Sequence, residues 1–271
     1  MEKQKIIFQD LGIIRYKAAW DYQDEKVNYN LKIKSFLRNL GHGNEETVQG
    51  QEQNKIESNS LNNGQLKNNH LIEEKVKKQL TTTHYLLFCE HPPVYTLGKS
   101  GHIENVLLSM SELEKKDIEF FRTNRGGDIT FHGLEQVVGY PILDLEKFST
   151  DLGKYLRNLE EVIIRTIAEY GIIGDRSKGE TGVWLDPGIQ GRERKICALG
   201  IRCSRWVTMH GFALNVNTDL SYFNNIIPCG IVNKQVTSLK KELGYTVDII
   251  ELKEKLLVHF GEVFDADLLR N

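Results

Sequence analysis

Among the four cysteines of the 271-residue chain, one stands apart by its setting. Cys229 lies in Ile227-Pro228-Cys229-Gly230-Ile231, where proline fixes the backbone before the thiol and glycine frees it afterwards. A thiol on such a turn is held away from the framework, whereas Cys89 and Cys197 sit inside apolar runs of the kind that bury structural cysteines. A nucleophilic thiol also needs a neighbour that favours its thiolate. Lys195 opens the run Lys195-Ile196-Cys197-Ala198-Leu199-Gly200, so one cation leaves an otherwise apolar strand. A desolvated lysine beside a thiol would lower the thiol's pKa and pass protons, the pairing acyl transfer requires. A solvated lysine at a strand end is the alternative.

Two histidine-bearing segments accompany this pair. Arg125-Gly126-Gly127-Asp128-Ile129-Thr130-Phe131-His132 sets two small residues beside a cation and ends on an imidazole, a loop whose backbone can approach a ligand closely and present N–H groups to a developing oxyanion. Taken alone, it also reads as a Gly-Gly hairpin turn with a merely hydrogen-bonded histidine. His210-Gly211-Phe212-Ala213-Leu214-Asn215-Val216 places a histidine and a glycine in an apolar strand, compatible with the wall of an acyl pocket and equally with a core histidine.

The elements that must position these residues are legible in outline. Apolar residues at helical spacing, Trp20, Val27, Leu31 and Phe36 among them, predict a helix from about Tyr16 to Leu40, ending at Gly41. From about 41 to 80 the chain turns to Asn, Gln, Glu and Lys without an aromatic residue, which predicts a polar insertion, disordered or partly helical near its end. Tyr85 to Cys89 reads as a strand halted by Pro92 and Pro93. Leu152, Tyr155, Leu156, Leu159, Val162, Ile163 and Ile167 mark one face of a helix that Gly171 stops. Thr181–Leu185, Lys195–Cys203 and Val207–Val216 predict strands, and Asp248 with Glu251 has capping-box spacing before a last helix. Helices and strands alternate loosely, as in an α/β protein.

Composition narrows the class of function. With 40% hydrophobic and 27% charged residues and a formal net charge of −2, the chain lacks the basic excess of a dedicated nucleic-acid binder. The amino terminus carries neither a secretory signal nor an apolar stretch of membrane-spanning length, which predicts a cytoplasmic protein without a membrane partner. No CxxC pair suggests a disulfide framework or structural zinc.

Together these segments resemble the lipoyl(octanoyl) transferases. His91-Pro92-Pro93-Val94-Tyr95-Thr96-Leu97-Gly98, the loop ending at His132, Gly139-Tyr140-Pro141-Ile142, Gly182-Val183-Trp184, the Lys195 strand, His210 to Asn217 and Pro228-Cys229-Gly230 follow that family's order and approximate spacing. The resemblance covers nearly the whole chain outside the insertion. It implies a single α/β domain over residues 1–271, with mixed β-sheets flanked by helices, like the catalytic domain of biotin and lipoate protein ligases. It implies Cys229 as the acyl-thioester nucleophile and Lys195 as the partner that lowers its pKa and handles the proton. Arg125 to His132, Ala198 to Gly200 (through Leu199) and Gly211 to Ala213 (through Phe212) would line the substrate site. The implied donor is octanoyl-acyl carrier protein; the implied acceptors are lipoyl domains of 2-oxoacid dehydrogenase complexes and the glycine cleavage H protein. No metal, nucleotide or other cofactor is implied.

Two features depart from the family. After His132 it reads Gly-Pro-Gly-Gln, where this chain has Gly133-Leu134-Glu135-Gln136; the polar insertion is the second. A lipoate or biotin ligase, which activates its acid with ATP, is a rival reading, but its Arg-Arg-x-Ser-Gly-Gly-Gly segment and His-Asp pair do not match the loop here. A non-catalytic protein that holds carrier domains is another, disfavoured by the intact Lys195 and Cys229.

Overall fold

A computed structural model describes residues 3–42, 80–227 and 235–270, with side chains of 41 and 42 excepted. The expected insertion at about 41–80 and the nucleophile candidate Cys229 therefore fall almost wholly outside the described residues.

The chain runs β1 (Gln4–Ile13), α1 (Tyr16–His42), β2 (His84–Glu90), β3 (Val94–Leu97), α2 (Met110–Lys115), β4 (Glu119–Arg122), β5 (Ile129–His132) and β6 (Gln136–Ile142). It continues through α3 (Leu152–Ala168), β7 (Asp175–Arg176), β8 (Val183–Leu185), β9 (Arg194–Ser204), β10 (Val207–Asn215), β11 (Gln235–Val236), α4 (Leu239–Leu243), α5 (Ile249–Phe264) and β12 (Ala266–Arg270). Among the described residues the larger sheet has the order β12-β1-β2-β6-β10-β9-β8-β7, with β11 added to β9, and a smaller sheet has the order β4-β3-β5. Parallel pairs (β1 with β12 and β2, β9 with β11, β3 with β4) mingle with antiparallel ones, so the expected mixed sheets are present.

Each face of the large sheet is covered by helices. On one, α3 and α5 bury Leu159, Val162, Ile163, Leu252, Leu256 and Phe260 against Leu86, Val137, Leu199, Phe212 and Leu214. Asp151 caps α3 through the amide of Lys154, and Asp248 caps α5 through the amides of Ile250 and Glu251. On the other face, α1 lays Ala19 and Val27 over Leu87, Cys89, Val138, Tyr140, Met209 and Ala213. Helix α1 runs one residue past the expected stop at Gly41, since one glycine weakens a helix without ending it. Phe36, expected on its apolar face, is 49% exposed. Positions 16, 19, 23, 27, 30, 33 and 34 make the buried stripe, and three of them are polar: Gln23, Asn30 and Lys34. Asn30 fastens the returning chain by two bonds to the backbone of Thr83, at 2.7 and 2.9 Å, and Lys34 meets the buried Asp144 at 2.5 Å.

Candidate active site

The geometry begins with a break in strand alternation. Opposite β8, Val183 pairs with Cys197 and Trp184 with Lys195, so β9 carries one extra residue, Ile196. Such a bulge reverses which face the following side chains take. Ile196, Cys197 and Leu199 therefore enter the core under α3 and α5, while Lys195 and Ala198, three residues apart, both border a cavity on the α1 side. The Lys195 ammonium lies 4.5 Å from the centre of the Trp184 ring, a cation–π contact. Gly182 lies close by at φ +113°; a Cβ there would stand 2.6 Å from the Cys197 carbonyl and 3.4 Å from Cε of Lys195.

The floor of the cavity is built of small residues. In the β9–β10 ladder Ala198 faces Ala213 and Gly200 faces Gly211, and Val138 of β6 pairs with Ala213. All five border the cavity, which is open to solvent on one side. Leu199 and Phe212 reach its edge while packing mainly into the α3–α5 core.

Above this floor sits the loop before β5. Its backbone is pinned on two sides: the amides of Lys99 and Ser100 donate to the carbonyls of Arg125 and Gly127 at 2.9 and 3.2 Å, and the amide of Gly126 donates to Ile201 at 2.8 Å. A Cβ at Gly200 would stand 2.9 Å from the Gly126 carbonyl, and one at Gly98 would stand 2.2 Å from that of Gly127, so both glycines are close-approach positions. The buried Arg125 turns its guanidinium inward onto the Thr96 carbonyl (2.5 Å), the Thr96 hydroxyl (3.0 Å) and the Gly126 carbonyl (3.0 Å). Asp128 accepts from the amide of Ile129 and from the side chain of Asn105, both at 2.7 Å. Of the loop residues singled out in the sequence, Arg125, Gly127, Asp128, Ile129, Thr130 and His132 border the cavity. Gly126 is packed against Ile201, and Phe131, by strand alternation, points into a separate apolar cluster with Tyr95 and Leu97.

A directed chain of hydrogen bonds joins this loop to the lysine strand. His132 Nδ1 lies 2.9 Å from Gln136 Oε1, which can only accept, so the ring is protonated there and its Nε2 receives the Thr96 hydroxyl at 3.3 Å. Gln136 in turn donates to Asn215 at 2.8 Å, and Asn215 donates to the carbonyl of Thr237 at 3.0 Å. The amide of Thr237 donates to the Lys195 carbonyl at 2.9 Å. Burial holds the His132 imidazole well below its ordinary pKa, with His91 and Arg125 adding to the effect, so the ring stays neutral. His91 is likewise lowered, to about 4, by burial; its Nδ1 donates to the Ile14 carbonyl and its Nε2 accepts from the Tyr140 hydroxyl, both at 2.7 Å. Tyr16, the first residue of α1, stacks on His132 with ring centres 5.9 Å apart and an interplanar angle of 11°. Tyr16, Gln136, Tyr140, Thr181 and Asn215 border the cavity without having been singled out as site residues. Gln136 and Tyr140 lie beside or within quoted motifs; Tyr16, over a hundred residues away in the chain, carries no local signal.

The described cysteines are poorly placed for nucleophilic work. Burial pushes the thiols of Cys89 and Cys197 well up, and also raises that of Cys203, which lies at the far end of β9; none of the three borders the cavity. Cys229 falls within 228–234, but both flanks of that segment reach the site. Ile227 donates its amide to the Asn105 carbonyl at 2.8 Å, while Asn105 binds Asp128 through its side chain. On the other side Val236 pairs with Lys195 and borders the cavity, as does Phe223 before the segment. Among the described residues no group of three or more His, Cys, Asp or Glu is arranged to hold a metal ion, and no helix is long and apolar enough to cross a membrane.

Residues 65–261 match the model of the lipoyl protein ligase A/B catalytic domain. The octanoyltransferase of Flavobacterium psychrophilum is 52% identical over 97% of this chain and 98% of its own length; that of Christiangramia forsetii is 50% identical over 98% of each. Among solved structures, a bipartite lipoate protein ligase from Thermoplasma acidophilum superposes with a TM-score of 0.56 at 18% identity, over 70% of this chain and 74% of the other. Lipoate-protein ligase A bound with ATP superposes with a TM-score of 0.58 at 16% identity, over 70% and 76%. These two likenesses concern the fold.

Proposed function

Because the chain belongs to the lipoyl protein ligase A/B catalytic-domain family, we propose that it is an octanoyltransferase of protein lipoylation, moving octanoyl from acyl carrier protein to the lysine of a lipoyl domain through a thioester on Cys229. The observation that carries this reading is the cavity itself: an apolar, small-residue floor with Lys195 at one end, bordered by both flanks of the segment that contains Cys229. The high-lying thiols of Cys89, Cys197 and Cys203 leave Cys229 as the thiol suited to the task.

In the first half-reaction the Cys229 thiolate, favoured by the Lys195 ammonium, attacks the carbonyl carbon of the carrier thioester. The new C–S bond forms as the bond to the carrier sulfur breaks, and the carrier thiolate takes its proton from the Lys195 ammonium, leaving that amine neutral for the second half. The octanoyl chain lies over Ala198, Gly200, Gly211 and Ala213. In the second half the amine of the acceptor lysine attacks the enzyme thioester, the amide forms, Cys229 leaves as thiolate, and the amine's proton passes to Lys195. Lipoyl domains of 2-oxoacid dehydrogenase complexes and the glycine cleavage H protein are the acceptors, and the whole chain 1–271 acts as one catalytic domain in the cytoplasm.

Intact mass spectrometry after mixing the pure protein with octanoyl-acyl carrier protein tests the reading. One octanoyl group should add without ATP, and should leave on addition of an apo lipoyl domain. Transfer that requires ATP and survives thiol alkylation would establish the ligase chemistry instead; carrier binding without any adduct would establish a non-catalytic holder.

A further inference from the structure

His210 occupies a backbone position that is strained for a bulky residue. It lies in the middle of β10 at φ +60°, the left-handed region that a bulky residue seldom enters. Strand alternation would aim its side chain with Thr208, Phe212 and Leu214 toward the α3 and α5 face, where Phe212 and Leu214 join the core. The positive φ turns the ring to the α1 face instead. There it meets Trp20 edge-on with ring centres 6.0 Å apart, and its Nε2 lies 2.8 Å from Asn124 Oδ1, while its backbone amide donates to Gln23 at 3.0 Å.

The orientation has a chemical consequence. Asn124 Oδ1 can only accept, so Nε2 carries the proton and Nδ1 keeps its lone pair. Burial, with help from Arg125 and Arg202, lowers the imidazole to about 3, so the ring is neutral and Nδ1 is a fixed acceptor. The residue is 2% exposed, borders the cavity, and its Nδ1 is buried with no hydrogen-bond partner among the described residues. In the β9–β10 ladder His210 pairs with Ile201, just beyond the Gly200–Gly211 pair and at the opposite end of the floor from Lys195.

We propose that His210 is the polar stop of the acyl cavity, a specificity-determining residue whose Nδ1 accepts a hydrogen bond from a donor at the far end of the bound chain and rejects an alkyl terminus pressed against it. The nature of the ligand rests on the acyl-transfer reading above; the polar stop rests on the geometry of His210. An alkyl chain that reaches the ring leaves a buried acceptor unpaired, which in a polar-built site discriminates more strongly than a difference of one methylene. A hydroxyl at that position satisfies it.

Titration calorimetry of the full chain with free fatty acids tests this without requiring turnover. Three pairs match in length and differ only in their end: 8-hydroxyoctanoate with nonanoate, 9-hydroxynonanoate with decanoate, and 10-hydroxydecanoate with undecanoate. In the wild type, at the length that reaches His210, the hydroxy acid should bind about tenfold or more tighter than its methyl partner. In His210→Gly, which accepts the left-handed backbone and removes the ring, the methyl partner should win at every length, and longer acids should gain. Should that variant fold poorly, His210→Phe keeps a ring of similar size without the acceptor and should show the same loss of hydroxyl preference. The proposal is overturned if no acid binds the wild type, if the methyl partner wins there at all three lengths, or if the hydroxyl preference survives in the variants. Failure of octanoyl transfer with these preferences intact would count against the proposed function alone.

Discussion

The amide of Thr237 donates to the carbonyl of Lys195 at 2.9 Å, one residue beyond the parallel pair of Val236 with Lys195. The lysine strand and the chain emerging from 228–234 are thereby held in one ladder. Asn215 and Gln136 extend that tie to His132, and Thr96 extends it to Arg125.

Lys195 and Cys229 should behave as a unit. Cys229→Ala should abolish the octanoyl adduct in intact mass spectra, while Cys89→Ala, Cys197→Ala and Cys203→Ala retain it. Lys195→Ala should slow transfer by on the order of 10²–10⁴, the usual weight of a positioned proton-transfer group, and should move the pH profile of Cys229 alkylation upward. An acyl mass on any other cysteine would refute the assignment.

Gln136 should matter to stability beyond its size. It is 1% exposed, receives His132 Nδ1, and donates to Phe131 O and Asn215 Oδ1. Gln136→Leu leaves those buried groups unpaired and should cost roughly 2–4 kcal/mol. A denaturant midpoint close to wild type would mean that the network can rearrange.

Glu135 stands at φ +59°, where related sequences are expected to carry glycine. Its carboxylate accepts from Asn217 at 3.2 Å, and Asn217 also donates to Val247 at 2.9 Å. Leu134→Pro with Glu135→Gly removes that first bond and relieves a left-handed cost of about 1 kcal/mol. The double variant should therefore fold within about 1 kcal/mol of wild type and transfer normally. Loss of activity at unchanged melting temperature would give Glu135 a role of its own.

Acid should destabilise the protein through its buried imidazoles. Burial lowers His84 and His91 to about 4 and His210 to about 3, and holds His132 well down. The unfolded chain, titrating near 6.5, then binds more protons than the folded one below that pH. Stability from these groups is complete above about 6.5 and falls with pH toward 4, by up to about 1.4 kcal/mol per pH unit for each ring. Denaturant unfolding between pH 7 and 4.5 measures the slope, which His91→Gln should reduce by about one proton. An unchanged slope in that variant would show that His91 titrates normally in the fold.

Removing residues 43–75 and joining the ends should leave folding and transfer nearly unchanged, because their polar composition, without an aromatic residue, gives them little apolar surface to bury in the core. The returning chain is anchored by described residues, through Asn30 on Thr83 and through Thr82 on Asp144 at 2.9 Å. A large fall in melting temperature would assign the segment a structural part.

The sequence by itself determined the chemistry on offer and the local elements. The apolar period of α3, the Asp248 cap and the runs that became β2, β9 and β10 depend on neighbours within a few residues, and periodicity reads such neighbours directly. The order of the motifs was likewise legible. Tertiary structure alone decided how they meet. The bulge at Ile196 that puts Lys195 and Ala198 on one side exists only in pairing with β8. The floor of Ala198, Gly200, Gly211 and Ala213 exists only in the register of β9 with β10, and the turned ring of His210 only in the contacts of that strand with α1 and Asn124. The polar stripe of α1, which weakened its helical signal, makes sense only once Asn30 and Lys34 have met Thr83 and Asp144. Each is a contact between residues far apart in the chain, and a local pattern carries no record of which distant strand or helix will supply the partner.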